Sequence, residues 1–93
     1  MSLNNNPWFL YLLRCADNSI YTGISINVEA RVKKHNLGKG AAYTSGRRPV
    51  ILIYQEKHPD QSTAMHRERE IKNWGRERKE KLTLGFSPAK LSR

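Results

Sequence analysis

Acidic side chains are scarce in this chain: 8 Asp and Glu stand against 17 Lys and Arg, a formal net charge of +9. On so small a surface that imbalance makes a strong positive field, which favours polyanionic partners. Nucleic acid is the first candidate and an anionic membrane face the second, while solubility alone accounts for part of the charge. Cys15 is the only cysteine, which excludes an intramolecular disulfide and leaves Cys15 as a small hydrophobe inside a strand. Cys15, His58 and His66 share no metal-ligand spacing, so no zinc site is indicated. No apolar run approaches the roughly 18 residues of a membrane span. Residues 1–6 are too polar for a secretory leader. A cytoplasmic location is the expectation.

The 93 residues suit one domain with a modest core. We expect a loose N-terminal arm over 1–7, the domain over 8–84 and a tail over 85–93. Two short apolar runs, 8–15 and 20–24, flank the turn residues Ala16-Asp17-Asn18-Ser19 and predict a β-hairpin. The loop length decides the register. A two-residue loop puts Tyr11 and Tyr21 on opposite faces. A three-residue loop with Asn18 left-handed pairs Tyr11 with Gly23 and Tyr21 with Leu13, so both tyrosines share a face. Asn tolerates that conformation, and a two-residue loop would favour Gly after Asp17, so the three-residue loop is preferred.

Asn27 predicts the cap of a helix running to about residue 37, with Gly38 as its stop. Residues 38–49 read as a long loop without periodicity. A third strand follows over 50–55, β-branched and apolar enough for the sheet centre. Asp60 or Ser62 caps a helix through 74, broken at Gly75, and a short charged helix spans 76–84. The order β-β-α-β-α-α predicts an α+β fold, a small three-stranded and mainly antiparallel sheet flanked by helices.

Several side chains carry chemistry in this frame. Arg31 and His35 are one helical turn apart and stack on one face, a spacing that a basic helix also reaches by chance. Ala64, Glu68, Ile71 and Gly75 trace the inward stripe of the later helix. A carboxylate on that stripe is costly to desolvate without a cation; either a metal or a salt bridge to Arg67 or Lys72 meets the need. Glu70 points elsewhere and reads as a solvated charge. Tyr11 and Tyr21 are good strand residues in their own right. Gly23 inside its strand marks a close approach by backbone or ligand. Six Lys or Arg and no acid occupy 31–48. There Lys39, Tyr43, Arg47 and Arg48 offer cations and an aromatic plane to a nucleic-acid backbone and an unstacked base.

Taken in order, these residues resemble the GIY-YIG nuclease superfamily over roughly residues 8–82. Phe9-Leu10-Tyr11 stands for the first triplet and Tyr21-Thr22-Gly23 for the second. Arg31 lies eight residues after Gly23, His35 follows one turn on, and the helix bearing Ala64-Met65-His66-Arg67-Glu68 resembles the one whose glutamate holds metal. Tyr21-Thr22-Gly23-Ile24, Gly38-Lys39-Gly40-Ala41 and the helix of Ile71-Lys72 are similar to small single-domain bacterial proteins related to the nuclease domain of the excision-repair endonuclease. Phe9 in place of the first glycine and Thr22 in place of an aliphatic residue depart from the pattern.

The resemblance implies an endonuclease that hydrolyses nucleic-acid phosphodiesters, DNA ahead of RNA, in repair or recombination. Tyr11, Tyr21, Arg31, His35 and Glu68 would form its catalytic set. Glu68 would hold one Mg²⁺ or Mn²⁺, Arg31 would stabilise phosphate charge, and Tyr21 or Tyr11 would take the proton of the attacking water. His35 would relay a proton or bond a tyrosine. A non-catalytic nucleic-acid-binding module with a degenerate site is the alternative expectation.

Overall fold

Asn18 adopts the left-handed conformation (φ 71°) and closes a three-residue loop in which the Cys15 N–H donates to Ser19 O at 2.9 Å. This computed structural model describes residues 6–86; the parts of the expected arm over 1–5 and tail over 87–93 lie outside the described residues. The turn joins β1 (Trp8–Arg14) to β2 (Ile20–Ser25). Their register is Tyr11 opposite Gly23 and Leu13 opposite Tyr21, as the longer loop requires. Both tyrosines therefore lie on one face.

The chain continues through α1 (Val28–Asn36), a four-residue α2 (Ala42–Ser45), β3 (Ile51–His58), α3 (Gln61–Lys72) and α4 (Arg76–Thr83). Asn27 and Asp60 cap α1 and α3 through side-chain oxygens that accept the N–H groups of Ala30 and Thr63, at 3.0 and 2.9 Å. Gly38 stops α1 at φ 81°. The sheet is antiparallel in the order β2-β1-β3, which gives the expected α+β architecture with two corrections. The central strand is β1, whereas β3 forms an edge. Leu10, Tyr11, Leu12 and Leu13 are at most 1% exposed, and that two-sided burial is what a centre strand demands. α2 interrupts the expected loop, and at four residues it is too short to leave a periodic signal. Cys15 is buried just beyond the end of β1, not within it.

Two cores line the sheet. On one face Tyr11 and Leu13 pack with Val28 of α1 and with Val50. On the other, Leu10 and Leu12 pack with Ile71 of α3, joined by Trp74 and by Leu82 of α4. A bidentate pair from Arg14 to Glu80 (2.7 and 3.0 Å) fastens α4 to the sheet. Among the described residues no helix is long and apolar enough to cross a membrane.

Thr22 is only 3% exposed, and its hydroxyl alone among the described buried side-chain polar atoms lacks a hydrogen-bond partner. An orphaned hydroxyl costs desolvation with nothing in return. Thr22→Val keeps the branched shape and removes that cost. We expect it to raise stability by about 1 kcal/mol, or roughly 4–8 °C in Tm for a domain of this size. Thermal unfolding of the two proteins measures this, and an unchanged or lower Tm would mean that water or a rotated hydroxyl already satisfies Thr22.

Candidate active site

The Tyr11 face gathers the aromatic groups. Tyr11 Oη lies 2.9 Å from His35 Nε2, and the Tyr21 and His35 ring centroids are 5.0 Å apart, edge to face. The Tyr11 and Tyr21 centroids are 6.3 Å apart. Gly23 makes this cluster possible. A Cβ there would stand 2.7 Å from Tyr11 Oη and 3.0 Å from the Tyr21 ring, so the close approach foreshadowed by this glycine is that of two phenols.

The 38–49 segment roofs the cluster. A Cβ on Gly40 would overlap His35 Nδ1 and stand 2.7 Å from Cγ of the same ring, so only glycine lets the backbone close on the imidazole. Thr44 of α2 places Oγ1 2.7 Å from Nδ1. Tyr43 stacks on Tyr21 with centroids 6.0 Å apart, and the Arg47 guanidinium carbon lies 3.9 Å from the Tyr43 ring centre. Under this roof His35 is 1% exposed. Thr44 is the residue that sequence reasoning missed. Its one signal was its place beside Tyr43, after the Gly38-Lys39-Gly40 run.

Burial pushes the Tyr11 hydroxyl well above the usual phenol range, reinforced by Tyr21 and Glu68 and opposed by Arg31. Tyr11 is a neutral phenol. Burial also lowers His35, and the Arg31 charge lowers it further, so the imidazole is neutral near pH 7. Arg31 is thus electrostatically adjacent to both groups. None of the seven ion pairs among the described residues uses Arg31 or Lys39.

Glu68 arrives from the other side. α3 packs Ile71 into the Leu10–Leu12 core, the face opposite Tyr11, so Glu68 does not sit over the tyrosines. Its charge is nonetheless felt at the Tyr11 hydroxyl. Arg67 is occupied by Glu56 at 2.8 Å and Glu70 at 3.0 Å, leaving Lys72, at 3.2 Å, as the partner of Glu68. Burial raises Glu56, but donors from Arg67, Tyr54 and His58 outweigh it and hold the carboxyl below its ordinary range. This knot ties α3 to β3 and sets where Glu68 stands. Glu70 is 55% exposed but paired rather than merely solvated.

A lone half-buried carboxylate is a donor set that suits one hard cation retaining most of its water. The Lys72 side chain opposite it is 54% exposed and free to swing away. Glu68 therefore fits a single Mg²⁺ or Mn²⁺. The basic loop is less free than its composition suggested. Arg47 pairs with Asp17 at 2.9 Å and donates to Tyr43 O at 2.8 Å. Arg48 donates to Ser45 O and Asn36 O and lies over Gly38. Both arginines brace the roof; Arg48 bonds only neutral carbonyls and keeps its charge outward, as does exposed Lys39.

A three-stranded α+β domain with two tyrosines, a neutral histidine and an unpaired arginine on one sheet face is the framework of a small phosphodiester-cutting domain. A family model for the GIY-YIG catalytic domain matches residues 7–81, and the chain belongs to that family, a nuclease superfamily whose members generally depend on a divalent metal and bind nucleic acid. It is 54% identical over 74 residues to the UPF0213 protein SH2523 of Staphylococcus haemolyticus, covering 80% of this chain and 90% of that one. A UPF0213 protein of Staphylococcus aureus is 51% identical over the same shares. The solution structure of the UPF0213 protein BH0048 from Bacillus halodurans is 40% identical, with a TM-score of 0.57 over 92% of this chain and 93% of that one. EF2693 from E. faecalis, also 40% identical, superimposes with a TM-score of 0.58 over 84% and 83%.

Proposed function

We propose that the protein is a metal-dependent endonuclease that hydrolyses phosphodiester bonds of nucleic acid, with DNA ahead of RNA. The observation that carries this reading is the meeting of Tyr11, Tyr21 and His35 on one face under the charge of Arg31. In this reading the Arg31 fork binds nonbridging phosphate oxygens. Tyr21, the more exposed phenol, takes the proton of the attacking water, while Tyr11 and His35 orient the phosphate. Glu68 would hold Mg²⁺ or Mn²⁺, which when bound supplies Lewis-acid stabilisation of the leaving oxygen. Lys39 and Arg48 supply backbone contacts that carry no sequence preference.

The test is cleavage of branched and linear DNA and RNA with and without each metal, run on wild type and Glu68→Ala. We expect metal-dependent cutting that Glu68→Ala lowers on the order of 100-fold. Calorimetric titration with Mn²⁺ should in parallel lose binding in Glu68→Gln and keep it in Glu70→Gln. Equal losses would mean that another carboxylate holds the ion. Salt-sensitive binding with no cutting of any substrate would replace the enzyme by a binding module.

A further inference from the structure

The imidazole of His35 is held at both nitrogens, and its neutral form has one proton to place. Hydrogen-bond accounting decides where. Thr44 Oγ1 lies 2.7 Å from Nδ1, 3.1 Å from Ala41 O and 3.4 Å from the Ala41 N–H. A hydroxyl donates once. The Ala41 carbonyl already accepts the N–H groups of Thr44 and Ser45, at 3.2 and 3.0 Å, which uses both of its lone pairs. The shortest of the three contacts has the length of an O–H donor meeting a strong acceptor. Gly40 closes the space beside Nδ1, so no water competes with Thr44 there. Thr44 is fully buried and His35 is 1% exposed, and a mismatched pair of lone pairs or protons at that depth is costly.

We propose that Thr44 is a positioning residue that donates to His35 Nδ1 and so fixes the proton on Nε2. His35 then donates to Tyr11 Oη, and the single Tyr11 proton is turned away from His35 toward the open side of the cluster. Tyr11 in this arrangement offers the substrate a hydrogen bond; it does not pass a proton back to the histidine. The catalytic consequence rests on the nuclease reading above, whereas the tautomer itself does not. Because the second ring nitrogen sets what the first can do, a residue that never meets the substrate decides the role of a tyrosine that does.

Long-range proton–nitrogen correlation spectra of the ¹⁵N-labelled full chain at neutral pH read the tautomer directly. Wild type and Thr44→Ser should both give the Nε2–H pattern at His35. Thr44→Val has no donor for Nδ1, so its spectrum should move to a mixture of the two tautomers. Single-turnover cleavage should fall about tenfold in Thr44→Val, with unchanged substrate affinity, and should stay near wild type in Thr44→Ser. An Nδ1–H pattern in wild type overturns the assignment, and so does an unaltered Nε2–H pattern in Thr44→Val. If Thr44→Val does not fold, the wild-type spectrum decides alone. If wild type cuts nothing but shows Nε2–H, the positioning role of Thr44 stands and only the nuclease reading falls.

Discussion

Arg31→Ala is expected to lower single-turnover cleavage on the order of 10²–10³-fold, equivalent to about 3–4 kcal/mol of lost transition-state stabilisation. The magnitude follows from two features of its site. Arg31 is half-buried, and its charge acts on both the Tyr11 hydroxyl and the His35 imidazole. It is also spared from the ion pairs that absorb Arg14, Arg47, Arg67 and Arg76. A preorganised cation with no internal carboxylate to satisfy is available for charge that develops on phosphate. Arg31→Lys should recover little, since an ammonium lacks the planar fork. The fold should be indifferent, because Arg31 ties no elements together. The measurement is cleavage at saturating protein, with circular dichroism as the control for folding. Wild-type rates in Arg31→Ala would remove this residue from the site.

The register of the tyrosines was legible in the sequence because one residue decides it. Asn18 tolerates a positive φ, the three-residue loop follows, and with a side-chain period of two the face of both tyrosines follows in turn. Helix caps were equally plain, since Asn27 and Asp60 act over three residues. The placement of β3 was misjudged for a physical reason. Its β-branched run satisfies a half-buried edge as well as a centre, and only the two-sided burial of β1 separates them. Thr44 escaped for a different reason. Its meaning depends on a loop that returns nine positions later to the end of α1, and nothing periodic announces such a closure. The basic loop misled through composition alone. Counting charges cannot reveal that Arg47 is answered by Asp17 across 30 residues, whereas the spacing of Glu68 and Lys72 on one helix could be read directly.

Which phenol handles the proton of the attacking water is decided by exposure and hydrogen bonding. Tyr11 is 1% exposed, its hydroxyl is engaged by His35 at 2.9 Å, and burial holds it firmly in the phenol form. Making it a base would require ionisation where ionisation is most penalised. Tyr21 is half-buried, edge-on to His35 and stacked on Tyr43, so its hydroxyl end keeps a path to water that Tyr11 lacks. Tyr21→Phe should therefore lose on the order of 10²–10⁴ in the chemical step, the span of a general base. Tyr11→Phe should lose about 10²-fold or more, the cost of one hydrogen-bond donor at the reacting phosphate. The sizes of these losses overlap, and the pH profile separates the roles. Fluorinated tyrosine at position 21 has a more acidic phenol, so the ascending limb of kcat/KM should move to lower pH. The same substitution at position 11 should leave that limb in place and change only the height of the profile. A limb that follows position 11 and ignores position 21 would make Tyr11 the base, reached through a deprotonated state that the neutral cluster conceals.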